Sequence, residues 1–77
     1  MDKKITVYPP YWCIQVSDNT FVGLNEDIYH SQAIQFPSRR SAWIFRDDAY
    51  GKDSTFPIRQ FIHDGDNYQM QPLWLWP

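Results

Sequence analysis

The chain predicts an α+β domain: a small antiparallel sheet of three to five strands with one α-helix packed on one face. Three observations carry this. Between Tyr11 and Leu24, apolar and polar residues alternate on either side of an Asp18-Asn19 turn, as in a β-hairpin. One stretch, starting at Ser38, has helical spacing with a defined start and stop. A second alternating run, Phe56 to His63, follows that helix and ends in Asp64-Gly65-Asp66-Asn67, a strong turn signal.

The elements follow in order. In Lys3 to Tyr8, Ile5 and Val7 alternate with Lys4 and Thr6, a strand that Pro9-Pro10 ends because neither proline can donate to a ladder. In Tyr11 to Ser17, Trp12, Ile14 and Val16 point one way and Cys13, Gln15 and Ser17 the other. Thr20 to Leu24 is the returning arm, in which Gly23 weakens the strand or marks a bulge or a close backbone approach. Asn25 to Ser31 is a polar connector, and Ser31 to Phe36 reads as a single helical turn with Ala33 and Phe36 inward. Lys52 to Thr55 is loop. The run from Phe56 places Phe56, Ile58, Gln60 and Ile62 on one side and Pro57, Arg59, Phe61 and His63 on the other. Tyr68 to Gln71 is a last short strand. This is one domain, residues 1–77, with an arm (1–10), a core (11–71) and an apolar Trp-rich tail (72–77).

The helix has the most local detail. The Ser38 hydroxyl is placed to accept from the backbone N–H of Arg40 or Ser41, and Pro37 biases Phe36 towards extended geometry, so the helix starts no earlier. Phe36, ahead of the cap, faces Ala42 as a reduced hydrophobic staple. Ala42, Phe45 and Ala49 form an i, i+3, i+7 stripe flanked by Trp43 and Ile44, and Gly51 is the stop. Roughly 11–12 helical residues are marginal alone in water, so packing must hold them. Arg39 and Arg40 sit in the first turn and Asp47 and Asp48 in the last. This opposes the helix dipole at about 0.3–1 kcal/mol per charge. Such a broken rule marks either a functional surface or unoptimised surface charge.

Composition narrows the function. A chain of 77 residues buries only about 60–65% of its unfolded surface. With one cysteine it has no intramolecular disulfide and no cysteine zinc site. Its 4 Trp, 5 Tyr and 5 Phe supply the core instead, each removing about 150–250 Å² from water when buried. They cannot all fit inside, so some are expected outside. A net charge of −2 is too mild to argue for a polyanion partner or an acidic mimic. No apolar run reaches signal-peptide or membrane-span length, so the expectation is a reduced, cytoplasmic protein with no membrane partner.

The hairpin opening Trp12-x-Ile14-x-Val16, the Asp18-Asn19 turn, Phe21-Val22-Gly23, the run Ala33-Ile34-Gln35-Phe36-Pro37-Ser38-Arg39-Arg40-Ser41-Ala42 and a closing strand together resemble a loose class of short phage and prophage open reading frames. In that class an Ala-x-x-Phe turn precedes a Ser/Thr-capped helix with Ala at its fifth position. The resemblance covers residues 11–63 and implies a β-hairpin–helix–β fold and a mobile-element origin. It brings no catalytic residues with it.

The chemistry is sparse. A nucleophile–base pair would need Cys13 or a serine with His30 or His63 and an orienting carboxylate, and no flanking pattern activates Cys13. His63-Asp64-Gly65-Asp66-Asn67 holds an imidazole and two carboxylates, but a calcium loop needs a Glu where the twelfth residue from Asp64 is Leu75. The 3 glycines form no phosphate loop. No enzyme, metal site or cofactor is expected. The leading expectation is a non-enzymatic protein-binding module, using Arg39, Arg40, Trp43 and Arg46 on the helix and Trp74 and Trp76 on the tail, since Trp and Arg dominate interface energetics. The resemblance adds a phage-encoded protein that occludes a host protein, such as a defence factor. The second expectation is a nucleic-acid-binding accessory protein, because Arg39, Trp43 and Arg46 at i, i+4 and i+7 share a face. The third is a structural homo-oligomer, a homodimer joined through sheet edges or the tail.

Overall fold

A computed structural model of the chain describes residues 7–72. Within them the α+β prediction holds: one helix lies on an antiparallel sheet of four strands. The strands are β1 (Tyr11–Ser17), β2 (Thr20–Phe21), β3 (Ile58–Asp64) and β4 (Asn67–Met70), and the helix α1 spans Arg39–Tyr50. The sheet order is β2-β1-β3-β4. β1 runs against β3 with Tyr11 opposite Phe61 and Ile14 opposite Ile58. β3 turns into β4 through Gly65-Asp66, with Asp64 opposite Asn67. Gly65 takes a φ of +66° while Asp66 stays negative, the requirement of a type II′ hairpin.

The alternation read in β1 sorts the interior into two clusters, one on each face. Ile14, with Trp12 and Val16 beside it, joins Val22, Phe36, Ala42 and Ile58 beneath α1. Tyr11 and Cys13 join Phe21, Ala33 and Phe61 on the other face, where Ile28 and Tyr68 cover them. The helix therefore closes one side of the sheet, and the part of the connection that carries Ile28 and Ala33 closes the other.

The helix ends are those the sequence predicts. The Ser41 N–H donates to Ser38 Oγ at 3.1 Å, the Ser38 N–H donates back to Ser41 Oγ at 3.3 Å, and the Gly51 N–H donates to Asp47 O at 3.0 Å. This reciprocal pair uses serine where glutamate is usual.

Four expectations are corrected. Residues 31–36 are not a helical turn: a turn at 29–33 gives way to extended chain, and Phe36 pairs with Trp12 through bonds of 2.9 and 2.8 Å. Phe36 thus covers the edge of β1 that the two-residue β2 leaves open. The returning arm stops at Phe21, because Gly23 is a close approach: a Cβ there would collide with Glu26 O. The expected first strand is absent where it can be seen: Val7 and Tyr8 are not in a strand, and residues 3–6 lie outside the described residues. The inward stripe of α1 is Ala42 and Arg46, not Ala42, Phe45 and Ala49. Arg46 displaces the apolar residues because its guanidinium finds a backbone acceptor, which a buried charge requires.

Candidate functional site

Two surfaces stand out, one on each side of the sheet. The first is the outer side of α1. Trp43 is 42% exposed and Ile44 51%, next to each other and close to Arg40, which is also exposed. Phe45 and Tyr50 are partly outside too, though Phe45 leans on Phe36 at 5.3 Å and Tyr50 on Phe56 at 5.3 Å. Arg39 lies over the Trp43 ring at 5.2 Å and Arg46 at 4.5 Å, so the expected Arg39–Trp43–Arg46 grouping forms. The three do not play equal parts. Arg46 is 8% exposed and donates from Nη1 to Phe56 O at 2.8 Å, with Nε 4.0 Å from Asp47. It is part of the packing beneath Trp43 and is not available to reach a partner. Trp74 and Trp76 lie outside the described residues.

The second surface was not expected. On the face away from α1, Tyr8, Tyr29, His30, His63, Asp66 and Tyr68 line an open cleft of about 650 Å³. Register brings its far wall together: His63 and Tyr68 are directly opposed across β3 and β4. Their rings meet edge to face at 5.1 Å, and Tyr8 lies flat on His63 at 3.8 Å and 6°. The Tyr68 hydroxyl donates to Pro9 O at 2.8 Å, which fixes the arm that carries Tyr8. His30 forms the near wall, stacked on Phe61 at 4.4 Å, with Nδ1 2.9 Å from the Tyr11 hydroxyl. Burial holds the His30 pKa below that of a free imidazole and pushes the Tyr11 phenol up to about 12, so both are neutral near pH 7.

Cys13 is fully buried, and burial pushes its thiol up to about 12, the opposite of an activated cysteine. The cleft brings both imidazoles together without it. Among the described residues no group of three or more His, Cys, Asp or Glu is placed to hold a metal ion, and no helix is long and apolar enough to cross a membrane.

No protein-family model, curated protein or solved structure matches the chain.

Sequence reasoning missed Tyr8, Tyr29, His30, His63, Asp66 and Tyr68 as a group because four separate segments supply them. One signal was present: His63 shares the Phe61 side of its strand, so a tyrosine directly across the hairpin had to meet it.

Proposed function

We propose that this protein is a non-enzymatic binding module that docks on another protein through the outer side of α1. The observation that carries the reading is the adjacent, half-exposed pair Trp43 and Ile44 on a helix whose inner side is fully occupied. An indole held in place by guanidiniums is a rigid anchor, losing little entropy on binding, and aromatic and arginine side chains are the usual centres of interface energy. Arg40 beside the pair favours a partner with an acidic rim around an apolar groove. The resemblance to short phage reading frames extends this to occlusion of a host protein. The nucleic-acid reading loses Arg46, one of the two cations on its face, to Phe56 O, and Asp47 and Asp48 add repulsion on the same helix.

The test is capture from a bacterial host lysate, with the wild-type chain and a Trp43→Ala/Ile44→Ser variant side by side. The expected result is one stoichiometric partner retained by the wild type and lost by a variant whose circular dichroism is unchanged. Retention of that partner by the variant, or capture of nothing by either chain, refutes the reading. Sedimentation of the free chain separates self-association from a foreign partner.

A further inference from the structure

The cleft on the face away from α1 has a lining that selects for one charge type. Among the described residues no lysine or arginine lines it, and the carboxylate on its wall is that of Asp66. An anionic ligand such as a phosphate or a nucleotide would meet no lysine or arginine among those lining residues, and would face the Asp66 carboxylate. The rings, by contrast, present electron-rich faces. Tyr29 is 54% exposed and Tyr8 52%, so both side chains are accessible to a ligand although Tyr8 is stacked on His63. Aromatic faces beside a carboxylate are the standard receptor for an organic cation, and a weakly hydrated one gives up least on leaving water. The site is also prebuilt, because the bond from Tyr68 to Pro9 and the stack of Tyr8 on His63 hold the far wall without a ligand. Its volume falls in the usual range for small-molecule sites.

We propose that this cleft binds a small methylated ammonium of the choline class, received among Tyr8, Tyr29 and Tyr68 and beside the Asp66 carboxylate. A trimethylammonium head has no N–H to satisfy, so ring faces can replace its hydration. The hydroxyl of Ser31 and the amides of Asn67 and Gln69, which also line the cleft, take the polar end of the ligand. This site is independent of the helix-face reading, since the two lie on opposite sides of the sheet.

The experiment is a chemical-shift titration of the full chain with choline chloride at constant ionic strength. A parallel titration uses the uncharged carbon isostere, in which a tert-butyl group replaces trimethylammonium. The expected result is saturable movement of the Tyr8, Tyr29, Tyr68 and Asp66 signals, with the isostere at least about fivefold weaker. Tyr29→Ala and Asp66→Asn, both at exposed positions, should each weaken choline at least about fivefold while leaving the rest of the spectrum in place. Equal binding of the isostere, no movement with choline, or unchanged affinity in both variants overturns the proposal. So does saturable binding of neutral monosaccharides in place of choline, because the polar groups would then be the recognition element.

Discussion

Replacing Arg46 with alanine should be one of the most damaging single changes to α1, although a charged helix residue ordinarily reads as surface. The Nη1 bond to Phe56 O, at 2.8 Å, is charge-assisted and largely shielded from water, worth about 1.5–3 kcal/mol. Its stacking on the Trp43 ring adds about 0.5–1 kcal/mol at a half-exposed site. The buried Nε has no hydrogen-bond partner, so removing it returns part of that energy. A net loss of about 1.5–3 kcal/mol is expected, against a total stability of roughly 4–12 kcal/mol for a chain this size. Urea unfolding followed by far-ultraviolet circular dichroism reads it as a midpoint drop of about 1.5–3 M, for a slope of about 1 kcal/mol/M. Arg46→Met, which keeps the stem and loses the bond, should fall between the two. A midpoint for Arg46→Ala within about 0.5 M of wild type would refute the claim that this guanidinium ties the helix to the segment leading into β3.

Other outcomes follow from the same contacts. Ser38→Ala removes the Oγ that accepts from the Ser41 N–H, while the backbone N–H of residue 38 can still donate to Ser41 Oγ, and should cost about 0.5–2 kcal/mol, read in the same urea assay. Gly23→Ala places a methyl against Glu26 O and 3.2 Å from Ile28, for about 1–3 kcal/mol of overpacking and weakened loop closure, read as lower thermal stability. The Cys13 thiol titrates near 9.0 when unfolded and near 12 when folded, so its stabilisation is complete below pH 9 and lost as pH rises towards 12. By about pH 11 the loss is roughly 2–3 kcal/mol, and Cys13→Ala should flatten this part of the urea-midpoint profile. His30 has the opposite sense: its folded pKa lies below 6.5, so the unfolded chain binds more protons and stability falls as pH drops from 6.5. A His30→Gln chain should lose less stability between pH 7 and pH 5 than the wild type, as measured by urea midpoints.

What could be read in advance was the local chemistry. Ser38, Pro37 and Gly51 place the ends of α1 because caps and stops depend on a few neighbouring residues. Alternation in β1 gives its two faces for the same reason, and those faces are the two clusters observed. Residues 33–36 were misread because Ala33 and Phe36 are three apart and both buried, which fits one helical turn. They belong to different clusters on opposite faces, and the deciding contact is with the backbone of Trp12, far away in the chain. Arg46 was misplaced for a similar reason: nothing near it shows that the Phe56 carbonyl will be waiting. The cleft was invisible because its walls come from the arm, the connector and both sides of the β3–β4 turn, and only the folded topology makes them neighbours.

β1 is enclosed on all sides. β3 lies along one edge, β2 and then Phe36 along the other, α1 above one face, and Ile28 and Ala33 of the connection below the second. No partial opening of the edges, the helix or the loop alone lays its whole length bare. Its amide protons should therefore be among the last to trade with deuterated solvent, at a rate set by global unfolding, while those of β4 exchange through local fraying. The strand that comes early in the chain is thus the one whose pairing registers the integrity of every other part.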